Sequence, residues 1–92
     1  MDPNARYRPT ADVHVRDFDG ELVVLDLAKG DYFGLNEIGA KLWSALVDGR
    51  SPSEVADALV GEYEVGRERL LADLVALTSE LLARGLIEPR PA

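Results

Sequence analysis

Residues 21–36 read ELVVLDLAKGDYFGLN, and the fold of the whole chain turns on how this stretch is taken. It divides into two extended runs, Glu21–Leu27 and Asp31–Leu35, joined by Ala28–Lys29–Gly30. Val, Leu, Tyr and Phe suit a pleated, half-buried surface. Gly30 supplies the positive φ that a three-residue hairpin loop with a bulge needs. Asn36 ends the second run and can cap a helix, its side chain accepting from an orphan backbone N–H. The period therefore changes from 2 to 3.6 within one residue, and a hairpin hands the chain over to helices.

Upstream, Ala11–Phe18 (ADVHVRDF) alternates Val13 and Val15 with His14 and Arg16, the pattern of a half-buried strand. Asp19–Gly20 is a two-residue turn signal of type I′ leading into Glu21. The first third is thus a meander of three short antiparallel strands. In the middle strand Leu22, Val23, Val24, Leu25 and Leu27 leave only Asp26 polar, which predicts a central strand covered on both faces. The third strand then lies at an edge, and its Tyr32-Phe33-Gly34-Leu35 run carries none of the Lys, Pro or inward charge that normally blunts an edge. Residues 1–10, with Pro3, Pro9, Arg6 and Arg8, read as a flexible arm, and residues 11–89 as a single domain.

Downstream, Asn36–Val47 carries Ile38, Leu42, Ala45 and Leu46 on one stripe with Trp43 beside it, and Asp48–Gly49 closes the helix. Ser51-Pro52-Ser53-Glu54 is a capping box with proline at the first helical position, opening a second helix over Pro52–Glu64. A glycine-flanked turn over Gly61–Gly66 leads to a third helix, about Arg67–Arg84, which Gly85 stops. That helix has two apolar stripes: Leu70, Leu74, Leu77 and Leu81, and beside them Leu71, Val75, Thr78 and Leu82. One stripe suffices to pack a helix on its own core. The second has three uses open to it: packing on the other helices, a dimer interface, or the wall of a groove in which an extended peptide adds to the bare sheet edge. The expected class is α+β, a three-stranded antiparallel sheet followed by three helices in a winged helix-turn-helix-like order.

Composition narrows the function. Ninety-two residues make one domain. Seventeen acidic against ten basic residues give a net charge of −7, which opposes attraction to nucleic acid or anionic lipid. The second helix carries Glu54, Asp57, Glu62 and Glu64 without a single Lys or Arg, so a DNA-reading role fails on charge. The absence of cysteine removes disulfides, thiolate metal sites and a cysteine nucleophile. No apolar run is long enough for a membrane span, and MDPNARYRP lacks the apolar core of a secretory signal, so a cytoplasmic protein is expected.

Catalytic constellations do not form on paper either. His14 is the sole histidine, and none of Ser44, Ser51, Ser53 or Ser79 stands in a nucleophile-turn context. Asp17, Asp19, Asp26 and Asp31 lack calcium-loop spacing, and the glycines form no phosphate loop. The expectation is a protein that is not an enzyme and holds no cofactor or metal.

The string VVLDLAKGDYFGLNEIGAKLWSALVDGRSPSEVADALVGEY, followed by ADLVAL and LLARGLIE, resembles the PqqD-like family. These are small leader-peptide recognition proteins of ribosomally made, post-translationally modified peptides. The likeness is to the stand-alone members serving lasso-peptide biosynthesis. It rests on YFGLN entering a helix with Gly39 and Trp43 four apart, on the Asp-Gly turn before the second helix, and on Asp73 followed by Leu74 and Leu77. It spans residues 13–88.

The resemblance implies that a precursor's leader peptide adds as an antiparallel strand beside the third strand, in the cleft against the third helix. Asp31, Tyr32, Phe33, Gly34 and Leu35 would supply strand pairing. Leu71, Val75, Thr78 and Leu82, or the neighbouring Leu74 and Leu77, would supply pockets, and Asp73 would meet a polar or basic leader group. The further partners it implies are a transglutaminase-like cysteine protease acting as leader peptidase and an asparagine-synthetase-like cyclase. A peptide chaperone for a radical maturation enzyme, as in quinone-cofactor synthesis, is the alternative. Nucleic acid and membrane are not expected partners; a monomer is expected, with a dimer through the surplus stripe as the other arrangement.

Overall fold

A computed structural model describes residues 2–91. In chain order the elements are β1 Tyr7–Pro9, β2 Val13–Phe18, β3 Glu21–Asp26, β4 Asp31–Leu35, α1 Glu37–Val47, α2 Pro52–Leu59, α3 Arg67–Ala83 and β5 Ile87–Pro89. Strands β2, β3 and β4 form an antiparallel sheet in that order, and β1 pairs antiparallel with β5. The three helices lie on one face of the larger sheet, which is the α+β arrangement the sequence predicts.

Local signals place the boundaries. Asp19 and Gly20 both take positive φ, 54° and 91°, the pair that a type I′ turn requires. The Asn36 carboxamide accepts from the Gly39 N–H at 3.0 Å and starts α1. Ser51 and Glu54 make the reciprocal capping box of α2, each side chain accepting from the other's backbone N–H. Gly49 and Gly85, at φ 87° and 72°, end α1 and α3 in the left-handed region.

Register fixes which side chains reach the core. Val15, Val24 and Phe33 oppose one another across the sheet, as do Asp17, Leu22 and Leu35, so these rows share the face that meets the helices. Val24 and Leu35 are buried there with Leu42, Trp43 and Leu46 of α1, Val55 and Leu59 of α2, and Leu70, Leu74 and Leu81 of α3.

Several expectations need correction. Residues 1–10 are not a flexible arm over most of their length. Tyr7–Pro9 is a strand on β5, the Tyr7 ring is buried, and the Ser53 N–H donates to the Pro3 carbonyl. Arg6 bonds the Gly49 carbonyl and Glu54, while Arg90 donates to the carbonyls of Tyr7 and Val47. Two arginines thereby satisfy carbonyls at and just past the end of α1 that its own turns leave free. Met1, part of the expected arm, and Ala92 lie outside the described residues.

Strand β3 is central but covered on one face only: Val23 and Leu25 point away from the helices and stay half-buried. The hairpin loop is four residues, Leu27–Gly30, because the Asp26 carboxylate accepts from the Ala28 and Lys29 N–H groups and ends the strand early. Helix α2 stops at Leu59 rather than Glu64, its last turn giving way at Val60–Gly61.

Candidate functional site

Among the described residues β4 pairs only with β3, so one row of its backbone N–H and C=O groups faces outward. What distinguishes this edge is the wall beside it. Gly39 lets α1 approach β4 closely: a Cβ there would lie 3.1 Å from Leu35 Cδ2 and 3.3 Å from Leu77 Cδ2. Leu35, Gly39 and Leu77 therefore meet, and this contact ties α3 to the β4 side of the sheet.

Further along α3 the Arg84 guanidinium lies over the Phe33 ring, 4.8 Å from its centroid. The same guanidinium pairs with Glu80 at 3.3 Å. Lys29 reaches across from the hairpin loop to donate to the Arg84 carbonyl at 3.3 Å. A cation at the last carbonyls of a helix also meets the negative end of its dipole. Between these groups lies a recess of about 120 Å³ lined by Lys29, Asp31, Tyr32, Phe33, Arg84 and Leu86. It combines the apolar Phe33 and Leu86 with Lys29 and Arg84, whose charges Asp31 and Glu80 offset, and so suits an apolar side chain.

The structure brings some of the expected site residues together and separates others. Phe33 and Leu35 face the helices, whereas Tyr32 and Gly34 face away from them, Tyr32 being 73% exposed. Asp31 is exposed opposite Asp26. On α3, Leu77 faces the cleft. Asp73 shares its flank, exposed and 3.9 Å from Arg69.

Leu74 and Thr78 are core residues instead. Thr78 is 0% exposed, and its hydroxyl donates to the Leu74 carbonyl at 2.7 Å. Leu71, Val75 and Leu82 lie on the opposite flank: at 100° per residue Leu82 stands roughly 160° round the helix from Arg84. The stripe containing Leu77 therefore borders β4, and the second stripe does not. Lys29, Arg84 and Leu86 escaped the sequence reading. Arg84 follows Leu77 by seven residues, two helical turns on the same flank, which was a usable signal. Lys29, in a loop, left none.

A larger cleft, about 520 Å³, lies between the β2–β3 turn and the outer surfaces of α1 and α2, lined by Asp17, Leu22, Lys41, Asp48, Arg50 and Ala58 among others. It is wide, mixed in charge and borders no free edge of β4, so the smaller recess is the better candidate despite its size. His14 stands exposed on β2. Among the described residues no group of three or more metal-ligating side chains converges, and no helix is long and apolar enough to cross a membrane.

The family model described as coenzyme PQQ synthesis protein D (PqqD) matches residues 21–87. No curated protein sequence is a significant match. Two solved structures are similar throughout. The complex of TbiB1 with the TbiA(beta) leader peptide shares 34% identity, covers 92% of this chain and 99% of its own, and superposes with a TM-score of 0.82. A lasso peptide synthetase B1 complexed with the leader peptide shares 36% identity, covers 92% of this chain and 100% of its own, with a TM-score of 0.85.

Proposed function

This chain belongs to the PqqD family, and we propose that it binds the leader peptide of a lasso-peptide precursor by strand addition at β4. The observation that carries the reading is an unpaired apolar strand edge standing beside a helix flank. Backbone pairing supplies affinity along β4, and Leu77, Phe33 and the recess under Arg84 receive alternate leader side chains. Two leader-bound proteins similar over nearly the whole chain support the lasso assignment over a chaperone for a radical enzyme. The acidic α2 surface speaks against nucleic acid.

An incoming strand antiparallel to β4 enters at the Leu35 end and leaves at the Asp31 end. The protein does no chemistry on the precursor in this reading. It holds the leader while a transglutaminase-like cysteine protease removes it and an asparagine-synthetase-like cyclase closes the ring.

The test is fluorescence anisotropy with a labelled leader of the precursor encoded beside this gene. Saturable binding at micromolar concentration or tighter, changing little between low and high salt, is expected, because the contacts are backbone pairing and apolar burial rather than surface charge. No binding of that leader to the full chain would overturn the reading.

A further inference from the structure

The Tyr32–Leu35 run carries no Lys, Pro or inward charge of its own, the usual guards of a bare edge. One such guard nevertheless stands over it, lent by another element. The Arg84 guanidinium crosses from the end of α3 and lies 4.8 Å from the centroid of the Phe33 ring. Phe33 is half-buried, packed against the core cluster and covered by this cation. An inward charge thus rests on the apolar side chain of β4 that the recess shares.

The backbone around Arg84 is anchored, while its side chain is not. Lys29 donates to the Arg84 carbonyl at 3.3 Å and holds the last turn of α3 against the hairpin loop. Gly85 follows at φ 72°, and Leu86 after it is buried. The Arg84 side chain itself is 51% exposed, paired at 3.3 Å with Glu80 one turn back on its own helix. A planar guanidinium can stack on a ring while its N–H groups stay on a carboxylate and water. Stacking of this kind at an exposed site is weak, worth a factor of about two to five in an equilibrium.

A strand paired with β4 sets one inward side chain directly opposite Phe33, its Cβ about 5 Å away. There it meets the guanidinium before it meets the ring. An apolar side chain that takes the place of the guanidinium gains burial on Phe33 and Leu86, which exceeds the stacking it breaks. A polar side chain breaks the same contact and gains nothing.

We infer that Arg84 guards the β4 edge: in the leader-free protein it occupies the Phe33 subsite, and a leader binds by displacing it. Arg84 therefore lowers the affinity for any strand and admits one that brings an apolar side chain to this position. The inference rests on the leader-binding reading above and adds to it a residue that lies in the site and opposes binding.

The experiment uses the full chain and a labelled leader of the precursor encoded beside this gene, with affinity from anisotropy and association rate from stopped flow. Arg84→Ala is expected to bind the leader about two- to fivefold tighter, the gain appearing in the association rate. Arg84→Lys, which keeps the charge but stacks less well, should fall between wild type and Arg84→Ala. Arg16→Ala removes the same charge from the exposed face of β2 and should bind as wild type does. In the wild-type protein the Arg84 Nε–H resonance, shifted by the Phe33 ring, should lose that shift as leader is added.

The inference is overturned if Arg84→Ala binds no tighter than wild type; weaker binding would make Arg84 part of the surface that holds the leader. It is also overturned if Arg16→Ala tightens binding equally, which would reduce the effect to net charge, or if the Arg84 resonance keeps its ring shift in the complex. Failure of the wild-type protein to bind leader would strike the leader-binding reading and this inference with it. Wild-type binding that Arg84→Ala does not improve strikes this inference alone.

Discussion

The larger sheet has two bare edges, and they are not alike. Strand β2 exposes His14, Arg16 and Asp17, is half-buried only at Val13, and among the described residues pairs only with β3. Beneath it the helical layer stops short, leaving the wide cleft bordered by Asp17 and Gly20. Strand β4 is apolar and is backed by α1 through Gly39 and by α3 through Leu77 and Arg84. An extended peptide could hydrogen-bond to either edge, but only at β4 would its inward side chains leave water. The lesson is that an unpaired edge supplies register and the neighbouring helix supplies most of the selectivity. Charge on β2 serves the opposite end, discouraging unwanted pairing.

Four substitutions, two of them with a matched control, test this contrast and its limits, in falling order of effect. Phe33→Pro removes an N–H and kinks β4, and leader affinity should fall by about 100-fold or more, roughly 2.7 kcal/mol. Arg16→Pro, the matching lesion on β2, should leave affinity close to wild type. If the two proline variants lose leader binding equally, the asymmetry between the edges is lost.

Leu77→Ala strips the wall without touching the strand. Anisotropy should show about tenfold weaker leader binding, alongside a stability loss of about 1–2 kcal/mol in urea unfolding for a half-buried leucine. Leu82→Ala, on the flank turned away from β4, should cost comparable stability and leave affinity unchanged. A drop in affinity for Leu82→Ala would mean that the other stripe of α3 faces the peptide.

Gly39→Ala probes how closely α1 and β4 must approach. The added methyl meets the Leu35 Cβ at 3.2 Å as well as both leucine methyls. That crowding outweighs the helix propensity gained, for a net loss of about 1 kcal/mol. Leader binding should weaken a few-fold because Leu35 and Leu77 are both displaced, and calorimetry would separate the two effects.

The smallest effect belongs to neither edge. The Glu54 carboxyl is held below its ordinary range, first by the Ser51 backbone N–H and then by Arg6. A depressed folded-state pKa adds stability above the unfolded value, about 4.5, and that contribution is lost as pH falls through the folded-state value. Glu54→Gln should lower the melting temperature slightly at neutral pH and flatten its decline on acidification below about pH 4.5. Leader affinity at neutral pH should not move; if it does, α2 is coupled to the β4 cleft.

Where a single local interaction decides, the sequence was readable. Asp19–Gly20, Asn36, the Ser51–Glu54 box and Gly85 each mark a boundary through chemistry contained within a few residues, and each stands where expected. Strands β1 and β5 were not readable, because each is three residues long and contains a proline, and their partnership spans the length of the chain. Strand β3 misled for a related reason. A run of Leu22 to Leu25 looks alike whether both faces are covered or one is left for something else. The candidate site was half legible. Its edge was visible in Tyr32–Leu35, but α3 bears leucines on both flanks, and periodicity cannot say which flank a sheet will choose. That choice was made by Gly39, whose missing side chain admits Leu35 and Leu77 to the same spot.

The clasp between β1 and β5 has a consequence for how this domain can be wired. The Arg90 N–H donates to the Arg6 carbonyl at 2.9 Å, so the two segments meet at one small gateway beside the C-terminal end of α1, where Arg6 bonds the Gly49 carbonyl and Arg90 the Val47 carbonyl. Segments that meet in this way are convenient points at which to join a linker. The module can thus be grafted into a longer polypeptide, or given new ends elsewhere, by a linker of a few residues.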